Sequence, residues 1–463
     1  MASDLFSDHV MDDTSRSLHS IWERSDLVMV KRLSRNDRSW ADDPDKHQGG
    51  FYIPAEQRKS GFFPQLHPRT DKPHIYRAEI RTHWLTSRET RSSRLIHYSN
   101  KGSEAHITRV PKGHFRGLTP ASFIVLGRDR ENSAIFHCMT IDAVDELASE
   151  LEGTLGLKPD FRCGVFNALE VVQKEQDEIE ELLAMLEQLL DLAPDGNWSD
   201  QFPIPTGRRI ADEARASIQS IYSLDTLDVR QLEAPGDLLN ELIKEVEFSI
   251  FRRHERLYRL AAVIQSMADE IRAPTRSNLL RSLIREFDTI YEIMKGARQA
   301  RTSRVGNSLE YHLQAMLHDS GIPFSAQAII GTTRRPDFLL PDIRYYGTKE
   351  ENLRYKVLVL SAKTTLRERW RQPFHESDDC PIYLATLDAG ISEKVLDSFS
   401  ENGMYAVVPE SSALLIEEAD LHEKTSERRK DTNLRPEVRT FHQFFHQDIQ
   451  SDRMPTWTQL LSS

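Results

Sequence analysis

The 463-residue chain is poor in cysteine, with Cys138, Cys163 and Cys380 as its complete set. Their odd number and wide separation exclude a disulfide framework and the C-x-x-C spacing of many zinc sites. No apolar run approaches about 18 residues, the length that spans a bilayer, and the polar first ten residues do not have the pattern of a signal peptide. The sequence therefore predicts a protein of the reducing cytoplasm with no membrane partner.

Two widespread catalytic signatures are also missing. Neither the phosphate loop GxxxxGK[ST] nor the nucleophile elbow GxSxG occurs, which excludes P-loop nucleotide hydrolases and the usual α/β-hydrolases. The composition is otherwise ordinary, with 39% hydrophobic and 29% charged residues. That usage is typical of globular proteins and excludes collagen-like or wholly disordered chains. The length indicates about three domains.

The chain has no net positive charge, since 60 Lys and Arg face 72 Asp and Glu for a balance of −12. Taken over the whole chain, this argues against a nucleic-acid partner. Residues 141–200, however, hold 16 acidic and three basic residues, so the rest of the chain sums to +1. Residues 75–116 hold nine Arg and Lys against three Glu, with aromatic residues between them. Such a stretch suits contact with phosphates and base edges, although a solvated surface has the same pattern.

Hydrophobic patterning divides the chain into three parts. Short strand-like segments separated by turn residues predict a β-rich domain over residues 1–165. Apolar residues at helical spacing in an acidic segment predict an amphipathic linker helix within residues 166–204. Long helices followed by alternating strands and helices predict an α/β domain with a mixed sheet over residues 205–463, with its core at about 301–415.

The α/β core holds two residues suited to phosphodiester chemistry. Asp337 begins one predicted strand and Lys363 ends a later one. At neighbouring strand ends, such a pair can place a metal ion and an ammonium group beside one phosphate. This is the PD…(D/E)xK pattern of nucleases, with Ser361 where a second carboxylate is expected. Glu376 and Glu310 are candidates for the additional oxygen ligand that Mg²⁺ prefers.

The segment after Lys363 contains Arg367, Glu368 and Arg369 on a predicted helix. Arginine can donate two hydrogen bonds to guanine, and glutamate can accept one from the N4 amine of cytosine. The triplet therefore suits a reader of G·C pairs beside the scissile phosphate. A solvated helix face with a charge pair between Glu368 and Arg371 explains the same residues.

Segments in both halves of the chain resemble the EcoRII-type restriction endonucleases. The similarity to their catalytic domain lies in Ser308–Leu313, Arg335–Pro341, Ala362–Gln372 and Val407–Pro409. The similarity to their N-terminal domain lies in Lys31–Ser34, Asn36–Asp37, Gly50–Pro54 and Ile107–Arg109. The segments occur in matching order over most of the chain. The block Lys363–Gln372 is the most specific, and residues 200–300 carry the least similarity.

The resemblance implies a Mg²⁺-dependent type II restriction endonuclease of the PD-(D/E)xK fold. Such an enzyme cuts double-stranded DNA before the first C of a short palindromic site with outer CC and GG, either CCWGG-like or CCNGG-like. The implied catalytic pair is Asp337 and Lys363. Glu376 is implied as the displaced carboxylate of this subfamily, and Tyr346 as a further active-site residue.

The resemblance also assigns ligands and DNA contacts in the catalytic domain. Asp337, Glu376 and the main-chain carbonyl of Ala362 are the implied metal ligands, with Glu310 as a further catalytic candidate. Arg367, Glu368 and Arg369 are implied as the residues that read the G·C pairs.

For the N-terminal domain, the resemblance implies an effector domain with a pseudobarrel fold. That domain binds a second copy of the site and covers the catalytic cleft of a homodimer until it does. The candidate DNA contacts are Arg32, Asn36, His47, Tyr52, Arg94, Tyr98, Asn100, Glu104, His106 and Arg109. A cognate cytosine methyltransferase that acts on the same site without stable binding is the implied companion.

Two other functions are compatible with the sequence. One is a nuclease triggered by modified DNA through its N-terminal domain. The other is a DNA-binding regulator that retains a nuclease fold without cutting. The presence of Asp337, Lys363 and Glu376 argues against the regulator.

Overall fold

The structure is a computed structural model, and contacts between residues divide the chain into two compact units. The first comprises Met1–Glu152 and Phe161–Ile179, and the second comprises Gly153–Asp160 and Glu180–Ser463. The structure describes residues 13–42, 49–100, 102–158, 160–192, 198–267, 275–330, 335–347, 356–366, 380–388, 390–391, 393–413 and 435–462. None of the described helices is long and apolar enough to cross a membrane.

The first unit is rich in β-strands, as the sequence predicts. Its strands are β1 (Ser25–Arg32), β2 (Gly50–Ile53), β3 (His67–Pro68), β4 (Ile75–Trp84), β5 (Glu89–Tyr98), β6 (Ala105–Thr108), β7 (Phe123–Asp129), β8 (Ile135–Ile141) and β9 (Cys163–Asn167). They form one sheet in the order β2-β6-β5-β4-β8-β7-β1-β9, and β3 pairs with β4. The β4–β8 pair is parallel. Closure of this sheet into a pseudobarrel stays a prediction.

Helices accompany this sheet, and the last two of them in the chain begin in the first unit and end in residues assigned to the second. The helices are α1 (Asp13–Arg24), α2 (Arg35–Arg38), α3 (Ala55–Lys59), α4 (Glu146–Leu155) and α5 (Ala168–Leu192). The predicted acidic helix corresponds to α5, and the division between the two units falls within it, after Ile179. The boundaries predicted for an interdomain linker stay a prediction.

An aromatic core fills one side of the first sheet. The ring of Phe115 lies 5.3 Å from Trp40, 5.9 Å from Phe51 and 5.8 Å from Trp84, measured between ring centroids. All four side chains are buried. Aromatic side chains bury large apolar areas, so this cluster supplies much of the hydrophobic stabilisation of the unit.

Asp37 ties the loop after β1 to β2. Its carboxylate accepts hydrogen bonds from the Tyr52 amide at 2.7 Å and the Ser34 amide at 2.9 Å, and it forms an ion pair with Lys31. Ser34 and Asp37 also form a reciprocal capping box at the start of α2. Since Asp37 is only 1% exposed, these donors are what makes its buried charge tolerable.

The second unit begins with helices and continues into an α/β arrangement. Its helices are α6 (Trp198–Gln201), α7 (Gly207–Tyr222), α8 (Pro235–Glu241), α9 (Glu247–Ser266), α10 (Arg276–Arg285), α11 (Phe287–Asp319), α12 (Glu393–Glu401), α13 (Phe441–Gln443) and α14 (Met454–Ser462). Its strands are β10 (Ser325–Ala326), β11 (Phe338–Leu340), β12 (Leu358–Lys363), β13 (Ile382–Thr386), β14 (Met404–Val408) and β15 (Val438–Thr440).

The strands of the second unit form a mixed sheet in chain order from β10 to β15. The β10–β11 and β11–β12 pairs are antiparallel, and the pairs from β12 to β15 are parallel. Apolar clusters cover both faces, with Leu358 and Leu360 in one and Val359 in the other. Burial on both faces explains the continuous apolar run from Val357 to Leu360. It also makes this sheet a firm support for the side chains at its strand ends.

Candidate active site

The strand ends of β11 and β12 bring Asp337 and Lys363 together. Because the two strands are antiparallel, the start of β11 lies beside the end of β12. The Asp337 Oδ2 atom accepts hydrogen bonds from Lys363 Nζ at 2.9 Å and from the Ala362 amide at 2.8 Å. Asp337 is 8% exposed as a residue, and 18% of the Lys363 side chain is exposed. The pair is therefore fixed by the sheet, and part of the Lys363 side chain reaches the surface.

A third residue, Gln327, joins this pair to Glu310. Its side-chain amide donates to Glu310 Oε2 at 3.1 Å and to Asp337 Oδ1 at 3.4 Å. Its main-chain amide donates to the Asp337 carbonyl at 3.0 Å. Gln327 also has a left-handed backbone with φ of 49°, a conformation that side-chain-bearing residues adopt at a cost and often at functional sites. The sequence does not single out this residue.

Ser361 and Tyr346 are two further described residues that the sequence associates with the Asp337–Lys363 site. Residues two apart on a strand share a face, so Ser361 lies on the same face of β12 as Lys363. Ser361 is fully buried, and it adds no carboxylate at the position where many nucleases have one. Tyr346 packs against the apolar cluster that contains Val359, on this same face.

Glu376, Arg367, Glu368, Arg369 and His47 lie outside the described residues. Their assigned roles stay predictions.

The described residues offer hard oxygen ligands to a metal ion. Among them, no group of three or more His, Cys, Asp or Glu side chains has the arrangement of a complete metal site. Asp337 nevertheless accepts three hydrogen bonds of the roughly four that a carboxylate can accept. One direction is thus left for a cation, and Glu310 lies across the Gln327 amide. Oxygen donors of this kind suit Mg²⁺ better than softer metals.

The first unit gathers four of its predicted DNA contacts on one sheet face. The register aligns Tyr52 on β2 with His106 on β6, and His106 with Ile96 on β5. Alternation along β5 then places Arg94 and Tyr98 on the same face as Ile96. The rings of Tyr52 and His106 stack at 4.6 Å, and burial lowers the pKa of His106.

The remaining described candidates for DNA contact in the first unit are divided between exposed and buried positions. Asn36, Asn100, Glu104 and Arg109 are exposed. Arg32 is buried, with its guanidinium 2.9 Å from Glu152 Oε1 and 5.0 Å from the Phe123 ring centroid. A DNA contact by Arg32 therefore requires this buried ion pair to open.

The mixed sheet, with an aspartate and a lysine at adjacent strand ends, defines a restriction-endonuclease-like domain. Residues 270–423 match the family model described as the EcoRII C terminal. The match covers about a third of the chain and includes both Asp337 and Lys363.

Known proteins with similar sequences are restriction enzymes. The chain is 28% identical over 409 residues to the type II restriction enzyme EcoRII of Escherichia coli, a match that covers 83% of this chain and 88% of that enzyme. It is 29% identical over 173 residues to the type II restriction enzyme SsoII of Shigella sonnei, covering 35% of this chain and 55% of SsoII. The chain is therefore a homologue of type II restriction enzymes.

Solved structures give more distant likenesses. One is metal-depleted Ecl18kI in complex with uncleaved DNA, with a TM-score of 0.40, 22% identity and coverage of 54% of this chain and 79% of that one. Another is a complex of the restriction endonuclease PspGI with substrate DNA, with a TM-score of 0.39, 19% identity and coverage of 52% and 91%.

Proposed function

We propose that this protein is a Mg²⁺-dependent type II restriction endonuclease that cuts double-stranded DNA at a short palindromic site with outer CC and GG. The observation that carries the proposal is the 2.9 Å contact between Lys363 Nζ and Asp337 Oδ2 at adjoining strand ends. This contact lies in a domain that matches the EcoRII C terminal. The cut precedes the first C, and the central bases are W or N.

The roles of the residues follow from their chemistry. Lys363 places a fixed positive charge beside the scissile phosphate, where it orients the attacking water and stabilises the negative charge that develops on phosphorus oxygens. Asp337, Glu310, Glu376 and the Ala362 carbonyl are the candidate oxygen ligands for Mg²⁺. When bound, this ion acts as a Lewis acid and lowers the pKa of its water. Water adds to phosphorus as the bond to the 3′ oxygen breaks, which leaves a 3′-hydroxyl and a 5′-phosphate.

Recognition is divided between the two units in this proposal. Arg367, Glu368 and Arg369 read the outer G·C pairs of the cleaved site. The sheet face with Tyr52, Arg94, Tyr98 and His106, together with the exposed Asn36, Asn100, Glu104 and Arg109, binds a second copy of the site. Arg32 and His47 are further candidates for that contact. Two copies of the chain form a homodimer whose two-fold axis matches a palindromic site.

Sequencing the ends of cleaved plasmid DNA tests the proposal. We expect fragments with 5′ overhangs that begin at the first C of a CC/GG site, and no cleavage without Mg²⁺. Parallel reactions with unmethylated and cytosine-methylated plasmid distinguish a conventional restriction enzyme from one triggered by modified DNA. Cleavage confined to methylated plasmid would contradict the proposal, and binding without any cleavage would identify a regulator.

A further inference from the structure

A stripe of large apolar side chains is exposed on α10 and the first half of α11. Its members, with their exposed fractions, are Leu280 (52%), Leu283 (45%), Ile284 (80%), Phe287 (68%), Tyr291 (41%) and Met294 (43%). Helical residues turn by about 100° each, so these positions share one helix face. Ser282 lies on the opposite face and is fully buried. Soluble monomers rarely expose contiguous apolar surface of this kind, which marks it as an interaction site.

The stripe crosses the junction between the two helices with little interruption. The Glu286 amide donates to the Ser282 carbonyl at 2.8 Å, and the Ile290 amide donates to the Glu286 carbonyl at 2.9 Å. Both bonds have α-helical spacing, although Glu286 itself has a ψ of 11°. At 1.5 Å per residue, the stripe from Leu280 to Met294 is about 21 Å long.

Charge changes sign along the same segment. Residues 276–285 contain three arginines and no acidic residue, whereas residues 286–292 contain three acidic residues and no basic one. Two residues of each sign lie on one flank of the stripe at helical spacing: Arg281, Arg285, Asp288 and Glu292. The segment therefore carries a basic half and an acidic half beside one apolar face.

We propose that this stripe is a self-association surface, on which α10 and α11 of a second copy pack antiparallel about a two-fold axis. When two identical helices pack antiparallel about a two-fold axis, a residue that lies before the axis faces the residue of the other copy that lies the same distance after it. Arg281 and Glu292 have the same midpoint as Arg285 and Asp288, between Glu286 and Phe287. With the axis at that midpoint, each arginine faces a carboxylate of the other copy, because antiparallel helices bring the same flank together.

The charge pattern selects a second copy over other occupants. A parallel arrangement would place the two basic halves at one level and the two acidic halves at another. Because it brings opposite flanks together, it would also leave these arginines without a facing carboxylate. DNA would be repelled by the acidic half and has no apolar face to cover the stripe. The contacts of Arg285 with Glu286 and of Lys295 with Glu292 are exposed pairs, and such pairs contribute little and can exchange. The inference deepens the homodimer of the proposed function and names its surface.

Sedimentation equilibrium of the full chain, without DNA or metal, tests the apolar part. We expect a dimer for the wild type. The double variant Ile284→Lys/Phe287→Lys should associate at least about tenfold more weakly, since each change introduces a charge into a surface that the dimer buries. The matched control is Ile221→Lys on α7, a residue that is 66% exposed outside the stripe, and it should associate like the wild type. Circular dichroism checks that each variant is folded.

A charge swap tests the antiparallel register. Arg281→Glu alone and Glu292→Arg alone should each weaken the dimer, and the two changes in one chain should restore it. A monomeric wild type, an apolar variant that dimerises normally, or a double swap weaker than both single changes would each overturn the proposal. Lys363→Ala should dimerise like the wild type, so a failure of this interface can be told apart from a failure of the proposed catalysis.

Discussion

Lys363 Nζ lies 2.9 Å from Asp337 Oδ2, across the antiparallel pair β11–β12. Each side chain compensates the charge of the other at a site where both are largely buried. The Ala362 amide, at 2.8 Å from the same oxygen, fixes the carboxylate from a second direction. The lysine is thus held in position before any substrate arrives, which is the preorganisation that electrostatic catalysis requires.

Replacing this lysine should abolish most of the cleavage while leaving the fold intact. For Lys363→Ala we expect single-turnover DNA cleavage to fall by about 10²–10³-fold, the usual loss when one preorganised charge is removed from a reaction centre. Lys356→Ala is the control, because among the described residues Lys356 donates to the Asp452 main-chain carbonyl and not to Asp337. Wild-type cleavage by Lys363→Ala would refute its catalytic assignment.

Gln327 should act as a positioning residue that keeps Glu310 near Asp337. Gln327→Leu keeps a similar size but cannot donate to either carboxylate, so we expect about tenfold slower cleavage from the loss of alignment. The half-saturating Mg²⁺ concentration should rise, while affinity for DNA stays the same. Gln314→Leu is the control. Gln314 lies on α11, the helix of Glu310, and its side chain accepts a hydrogen bond from Arg208 on α7. Equal behaviour of the two variants would contradict a specific role for Gln327.

Asp37 should be essential to the stability of the first unit. In Asp37→Ala, the buried Lys31 ammonium and two main-chain amides lose their acceptor, and breaking a buried ion pair costs about 3–5 kcal/mol. Hydrogen exchange of β1 and β2 peptides measures this local loss of protection. Asp71→Ala is the control, since its pair with Arg69 is exposed, and its effect should be within about 0.5 kcal/mol. Unchanged exchange in Asp37→Ala would show that Asp37 does not connect β1 to β2.

His312 should make the second unit less stable in mild acid. Burial lowers its pKa, and Arg215 donates to its Nδ1 at 3.2 Å while its Nε2 bonds Glu247 at 3.1 Å, an arrangement that requires a neutral ring. Below the unfolded pKa of about 6.5, the unfolded chain binds a proton that the folded chain does not. The free energy of unfolding should therefore fall from pH 7 to pH 5.

Acid unfolding of a variant checks this titration. His312→Gln should show a smaller decrease in stability over the same range, whereas His318→Gln should behave like the wild type because His318 is 83% exposed. The difference between the slopes cannot exceed about 1.4 kcal/mol per pH unit for one group. Identical slopes for wild type and His312→Gln would exclude this histidine as the titrating group.

Elements with clear periodicity were predictable with accurate bounds. Alternation of side chains over residues 75–84 predicts a strand, and apolar residues at helical spacing over residues 207–222 predict a helix. The structure has both elements with these bounds, Ile75–Trp84 and Gly207–Tyr222. Alternation also predicts a strand at Arg94–Ser99. The observed β5 begins earlier, at Glu89, because its polar first residues pair with β4 through the main chain and bury little. The sequence pattern of Phe324–Ile330 predicts a further strand. Only Ser325–Ala326 forms one, since the left-handed Gln327 ends the extended backbone.

The candidate site was only partly predictable, because some of its residues have a recognisable sequence pattern and others have none. Asp337 and Lys363 stand at the ends of apolar runs, and the adjacency of two strand ends follows from their pairing. Gln327 belongs to no motif, and its importance depends on Glu310, which approaches it only in the folded chain. Likewise, sequence cannot distinguish a solvent-facing arginine from Arg32, whose partner Glu152 lies 120 residues away.

At position 327, the residue that best suits the left-handed backbone is not the residue that best suits the active site. Glycine adopts a φ of 49° without steric cost, so Gln327→Gly should relieve strain worth about 1 kcal/mol. The same change removes the amide between Glu310 and Asp337. A variant that is more thermostable and cuts more slowly is therefore an expected product of a selection for stability alone, and Gln327→Gly is one substitution by which such a selection would reduce activity.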